Sequence, residues 1–480
     1  MGLFKQAVSG VRWSTLSSAF VAGTELLRTV VLAHYLFPSD FGLMAMVTIP
    51  VSWAQTYLDL GIGAALIHRQ DSTKDQLSSL YWLNVLFGLF LFVVFWMGSN
   101  LVAIFFREPR TVPLIRVVSL VFIFTPFVNQ FETLLQKELA FRALAIRDIL
   151  ASIGQTIGSI ALASKGFGVW ALVLGFVLGM ALRTVMLAPI GLARFRPHLH
   201  FRSSDLRGYL SFGLFQMGER SVTYFEQRLD QMFLGYIAGA NGLGLYSFAF
   251  NLVAQPVWKI NPILTKVAFP LFSKVQDDTA RLKRGYLKLV GFITVVNAPL
   301  LLGLAVVAPV MVPVIFGPKW SGSILLIQLL SLVSLIRSIN NPLGCLQLAK
   351  GRADMGFWWH IAVSAATVPC VYLGARIGQA PGVATGMVIL QSCLVVPAYL
   401  LLISPFIGQC AKEYANVILK PVLAAGVMSM IVAILGAVSP DPFRGGRLAI
   451  EIAAGGAAYI TLIHTFHRQA FDEVGSLLAR

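Results

Sequence analysis

Fourteen apolar stretches, each long enough to cross a bilayer, follow one another along this chain. They fall at roughly 12–36, 40–67, 79–106, 112–136, 142–165, 167–192, 209–235, 240–268, 286–313, 321–347, 355–377, 380–404, 415–438 and 446–466. Hydrocarbon offers no water to a peptide group, so about 20 consecutive apolar residues in lipid must fold as a helix. The pattern predicts an all-α polytopic membrane protein of about 14 transmembrane helices. Composition agrees: 57% of the residues are hydrophobic and 12% charged, a balance that no soluble chain of 480 residues requires. Pro50, Pro126, Pro256, Pro262, Pro299, Pro342, Pro369 and Pro397 lie inside the stretches and are candidate hinges or packing kinks.

The stretch at 209–235 is unusual, because Glu219, Arg220, Glu226, Arg228 and Asp230 all lie within it. A charge at mid-bilayer costs at least ~2.5–3.5 kcal/mol on insertion scales. At about 100° per residue, Glu219, Glu226 and Asp230 fall in one narrow arc. Gln216, Arg220, Thr223, Tyr224 and Gln227 extend it, and Leu214, Phe215, Val222, Phe225, Leu229, Met232 and Phe233 take the opposite side. A helix with one lipid face and one wet face implies a polar cavity within a membrane bundle. The competing reading is an amphipathic helix lying on the membrane surface; spanning length and recurrence of the pattern favour a crossing.

That recurrence is found 202 residues earlier. Residues 32–46 match 234–248 at that offset, with Leu32/Leu234, Gly42/Gly244 and Leu43/Leu245 identical. The same offset places Ser14, Ser17, Ser18, Thr24, Glu25 and Arg28 on Gln216, Glu219, Arg220, Glu226, Gln227 and Asp230, polar against polar at every pair. A parallel internal repeat of this kind places two halves around a site near the bilayer midplane.

Lysine and arginine set the orientation. With a cytoplasmic N-terminus and alternating sides, 22 of them fall in cytoplasmic segments, among them Lys137, Arg142 and Arg147, and 7 on the other side. This bias predicts cytoplasmic termini and assigns the net charge of +16 mainly to topology, with no nucleic-acid partner needed. The loops are too short for a catalytic domain and carry no paired carboxylates, nucleophile motif or phosphate loop, so the chain is not expected to be an enzyme or to carry a cofactor. Cys345, Cys370, Cys393 and Cys410 are too scattered for a disulfide framework or a zinc site. His198 and His200 form an H-x-H pair in a basic loop, but the sequence offers them no further ligand, so no metal is expected.

Several segments resemble one family. LRTVVLAHYLFPSDFGLMAM near the start, LLQKELAFRALAIRDILAS at 134–152, RLDQMFLGYIAGANGLGLYSFA at 228–249, FPLFSKVQDDTARLKRGY at 269–286 and FGPKW at 316–320 are similar to the polysaccharide exporters of the multidrug/oligosaccharidyl-lipid/polysaccharide flippase superfamily. The resemblance is strongest to the O-antigen and exopolysaccharide, colanic-acid-type branch. It implies two repeat-related six-helix lobes, at 1–200 and 201–405, and two further helices and a cytoplasmic tail at 406–480. It also implies alternating-access translocation of a polyprenyl-diphosphate-linked oligosaccharide across the bacterial inner membrane, beside membrane lipids and the polysaccharide polymerase and export machinery.

The residues meet that expectation. Arginine's planar fork suits a diphosphate, and the candidates are Arg220, Arg28, Arg228 and Arg337. Arg116, Arg183 and Lys266 lie near expected helix ends, from which they can snorkel. Glu219, Glu226, Asp230, Glu25 and Asp59 are candidates for ion coupling or for neutralising those arginines. Glu25 also stands one turn before Arg28, within reach of an intrahelical pair. Two alternatives share the fold-level features: a cation-coupled exporter of small drugs on the same fold, and a non-transporting membrane scaffold of a glycan-assembly complex.

Overall fold

The computed structural model describes residues 3–58, 63, 66, 73–206, 210–438 and 444–466, the side chains of 3–8, 11, 210–220, 353, 438, 444–445 and 465–466 excepted. Among these residues every regular element is a helix, and ten helices are long and apolar enough to cross a membrane. Two of the ten, Ser221–Lys274 and Asp354–Ile407, run 54 residues each, beyond what one crossing needs. Both are broken at glycine rather than at proline. Gly239 turns to φ 67°, a conformation without steric penalty only for glycine, and the second break is at Gly378 and Gln379. Two expected stretches form the shorter or more polar helices Pro38–Gln55 and Phe141–Ser164, which are not among the ten. Pro342 does not bend a helix; it starts the Pro342–Ala349 helix, at a position where its missing N–H costs nothing.

Local chemistry sets several helix starts. Thr73 and Gln76 form a reciprocal cap before Lys74–Phe106: Thr73 Oγ1 accepts the Gln76 N–H at 3.3 Å, and Gln76 Oε1 accepts the Thr73 N–H at 3.2 Å. Asp278 Oδ1 accepts the Arg281 N–H at 3.0 Å ahead of Thr279–Met311. Met97, Leu101 and Ile104, on one face of Lys74–Phe106, are 71–75% exposed. Such a face belongs in lipid.

The chain divides into two compact units, Met1–Arg228 with Gly239–Gly244, and Leu229–Ala238 with Leu245–Arg480. The core of the first gathers Leu43, Met46, Val47, Val51, Ile115, Val118, Phe122 and Val173 with Ala240 and Leu243. Here the repeat-related glycines meet. A Cβ on Gly42 would stand 1.7 Å from the Ala240 carbonyl oxygen, and one on Gly244 would stand 1.8 Å from that of Pro38. Only glycine permits so close a crossing. In the second unit the FGPKW segment anchors the core: Phe316 and Trp320 are buried, and Trp320 lies 4.2 Å from Phe248, centroid to centroid.

Candidate functional site

In the first unit a seam of polar and charged side chains crosses four helices. Thr24, on the polar face of Leu3–Tyr35, shares a 2.5 Å hydroxyl–hydroxyl bond with Ser152 of Phe141–Ser164. One turn on, Arg28 is half-buried. Its guanidinium lies within electrostatic reach of Glu25 and Arg183, and its Nη1 is buried without a hydrogen-bond partner. The seam continues through Arg183 Nε, 3.7 Å from Asp148 Oδ1. Asp148 in turn holds Arg147 at 2.9 Å, and Arg147 Nη1 donates to Glu132 at 2.7 Å. The Arg147 side chain is only 6% exposed.

These contacts correct the sequence reading of Arg147 and Arg183. Arg147 is not a loop residue marking a membrane face; it is a buried side chain of Phe141–Ser164, neutralised by two carboxylates. Arg183 does not stand at a helix end but well within Val169–Arg194, beside Asp148. The intrahelical Glu25–Arg28 pair does not close to within 4 Å among the described residues. Arg116 donates from Nε to Ser99 Oγ at 3.2 Å, with Trp96 under its guanidinium.

The segment 221–228 belongs to the same unit and packs on Pro38–Gln55. The Tyr224 hydroxyl donates to the Ile49 carbonyl at 2.7 Å, the Tyr57 and Ser221 hydroxyls bond to each other, and Trp53 and Phe225 lie 5.2 Å apart. Glu226 and Arg228 are half-buried and each engages other groups. The side chains of Glu219 and Arg220, and all of Asp59, lie outside the described residues.

In the second unit Asp230 is 2% exposed. Its Oδ2 accepts the Tyr246 hydroxyl at 2.7 Å and its Oδ1 accepts the Gln231 N–H at 2.8 Å. Tyr246 is fully buried and within electrostatic reach of Arg337. Arg337, half-buried, has no hydrogen bond or ion pair among the described residues. Nearby in sequence terms, Ser331, Ser334 and Ser338 of Ile324–Asn340 are also buried. Asn297 Nδ2 donates to Asn261 Oδ1 at 2.8 Å in the same unit. Lys259 and Lys266 are exposed.

Arg28 in the first unit thus carries a buried donor without a partner, and half-buried Arg337 in the second makes no hydrogen bond or ion pair among the described residues. A guanidinium with an unused buried donor is set to receive an anion with several acceptor oxygens. Half-buried Glu25 lies within electrostatic reach of Arg28 in the first unit, and Asp230 is buried in the second. The seam through Arg147 was missed from sequence, because Glu132 and Arg147 lie 15 residues apart on different helices; Arg147–Asp148 within an apolar stretch was the available signal.

Comparison with known proteins gives consistent matches. A family described as "Polysaccharide biosynthesis protein" matches residues 31–325. The lipopolysaccharide biosynthesis protein WzxC of Escherichia coli K12 is 33% identical, over 86% of this chain and 84% of its own length. The teichuronic acid biosynthesis protein TuaB of Bacillus subtilis 168 is 32% identical over 96% and 95%. Among solved structures, the inward closed lipid II flippase MurJ aligns with a TM-score of 0.78 at 15% identity, covering 97% of this chain and all of that one. An inward-facing multidrug transporter of the MATE family aligns at 0.61 and 16%. At those identities the structural matches speak for the fold.

Proposed function

The chain belongs to the polysaccharide biosynthesis protein family, and from that premise we propose that it translocates a polyprenyl-diphosphate-linked oligosaccharide across the bacterial inner membrane. The observation that carries this reading is Arg28, whose buried Nη1 lacks a partner within a charged seam of a lipid-embedded unit. Such a substrate has a lipid tail that can stay in hydrocarbon and an anionic diphosphate that cannot. Arginine forks replace the lost water of the diphosphate with bidentate, permanently charged contacts. In this reading Arg28 and Arg220, with Arg228 and Arg337, hold the diphosphate, while the glycan occupies the polar remainder of the cavity.

The two repeat-related lobes, 1–200 and 201–405, rock about that site to give alternating access, with fourteen crossings in all and both termini cytoplasmic. Asp230, held by Tyr246, which is within electrostatic reach of Arg337, is either the counter-charge of an arginine or a coupling site for a proton or cation; Glu25, Glu219, Glu226 and Asp59 have the same two roles open to them. Polysaccharide polymerase and export machinery are the partners that would consume the product. The names of the sequence relatives favour this reading over a drug exporter or a scaffold.

The test uses a bacterial host whose own exporter of this class is deleted. Arg28→Ala should abolish polysaccharide export while the protein stays in the membrane, and Arg28→Lys should restore it only partly, because one ammonium cannot reproduce the fork. Full export by Arg28→Ala at normal abundance would remove Arg28 from the site. Labelling of a cysteine at Ser203 by an impermeant reagent in intact cells would overturn the proposed orientation.

A further inference from the structure

The connector that leads from Val169–Arg194 toward residue 210 is fastened to the first turns of Lys74–Phe106 by a dense set of polar contacts. His198 Nε2 stands 2.9 Å from Asp75 Oδ1, and His198 Nδ1 stands 2.9 Å from Ser78 Oγ. His200 Nε2 stands 3.0 Å from Asp205 Oδ2, which also accepts the Ser79 hydroxyl at 2.7 Å. The Trp82 indole donates to the His198 carbonyl at 2.9 Å, and Ser79 Oγ accepts the Arg202 N–H at 3.2 Å.

Ser78 Oγ lies 2.9 Å from the Lys74 carbonyl oxygen and 2.9 Å from His198 Nδ1. His198 Nε2 faces the Asp75 carboxylate oxygen at 2.9 Å, a gap that a proton or a metal ion can bridge. At His200 the carboxylate of Asp205 accepts from Nε2, which leaves Nδ1 bare.

We propose that Asp75, His198 and His200 form a site for a zinc-class divalent metal ion that clasps the connector to the start of Lys74–Phe106. One ring nitrogen of each histidine and a carboxylate oxygen of Asp75 lie within 4.8 Å of one another. Zinc bonds of about 2.0–2.2 Å require only modest closure of these side chains, and Asp75 and His198 are exposed enough to move, at 61% and 47%. Two imidazoles and one carboxylate are a borderline-soft donor set suited to zinc rather than to calcium or magnesium. Ser78 on the far nitrogen of His198, and Asp205 on that of His200, supply the outer contacts that orient metal-bound histidines.

The test uses full-length protein in detergent, with any affinity tag removed and metal stripped by chelator. Cobalt(II) is the probe, because its visible bands report coordination. One equivalent should bind with low-coordinate bands, and zinc should displace it. Asp75→Asn and His198→Gln should each abolish those bands, whereas Cys345→Ser should leave them intact. One equivalent of zinc should also slow tryptic cleavage at Arg202 in the wild type and not in His198→Gln. Failure of the wild type to bind cobalt would overturn the proposal. So would bands that survive the His198→Gln, His200→Gln double variant, or tryptic protection that ignores zinc.

Discussion

Replacing Arg147 by methionine tests whether the charged seam of the first unit is a structural lock. The methionine keeps the length of the side chain and removes its charge. Glu132 at 2.7 Å and Asp148 at 2.9 Å would then lose their shared cation. Breaking a buried ion pair by removing one partner costs about 3–5 kcal/mol. Two features reduce that figure here. The carboxylates keep part of their access to solvent, at 35% and 29% exposed, and Arg183 still attends Asp148 at 3.7 Å. We therefore expect a loss of about 2–3 kcal/mol. At roughly 2–4 °C per kcal/mol for a unit of this size, the apparent melting temperature in detergent should fall by about 4–12 °C. Adding Glu132→Gln and Asp148→Asn to Arg147→Met removes the stranded charges and should recover most of the loss. An Arg147→Met protein that melts with the wild type would refute this reasoning. A triple variant that melts below the single one would refute it too.

Three further expectations follow from named contacts. Gly42→Ala and Gly244→Ala should each destabilise the first unit by about 3 kcal/mol, the upper end for overpacking, because the atoms met are backbone carbonyls; since both break one crossing, the double variant should melt close to either single one. Tyr246→Phe strips Asp230 of its phenol donor at 2.7 Å and should cost about 1–3 kcal/mol, the penalty of an unsatisfied buried acceptor, while Asp230→Asn in the same background should cost little more. Glu108 is held below the usual carboxylate range chiefly by hydrogen bonds from Arg110 at 2.8 and 2.9 Å. That contribution is present above the ordinary carboxylate range and lost as pH falls through the depressed value. It amounts to no more than ~1 kcal/mol for so exposed a pair, and a melting-temperature profile between pH 6 and pH 3 should be flatter for Glu108→Gln.

The membrane class was legible in the sequence because hydrocarbon imposes a single rule, an apolar run of fixed length, and a run of residues is a local property. The glycines Gly42 and Gly244 stood out for a similar reason, as an identity at a fixed offset, and both sit at one close backbone crossing. Pairings made by tertiary structure were not legible. Arg147 reads as one more loop cation until Glu132 is folded against it, and Asp148 is exposed as its partner only by the helix. The H-x-H pair lacked a third ligand because Asp75 lies 123 residues from His198 and meets it only when the connector docks. Prolines drew attention as hinges, yet the two long helices break at Gly239 and at Gly378–Gln379. In lipid, neighbouring groups re-satisfy the carbonyl that a proline frees, whereas a positive φ reverses the chain outright.

The most direct test of the central claim is translocation by the purified protein. Proteoliposomes would carry a fluorescent saccharide on a short-chain polyprenyl diphosphate, with a membrane-impermeant quencher reporting which leaflet holds it. The account predicts that wild-type protein equilibrates the diphosphate-linked saccharide between leaflets faster than protein-free vesicles do, and that Arg28→Ala and Arg337→Ala, at equal incorporation, do not. Wild-type vesicles that translocate no faster than empty ones, or arginine variants that keep pace with the wild type, would contradict it.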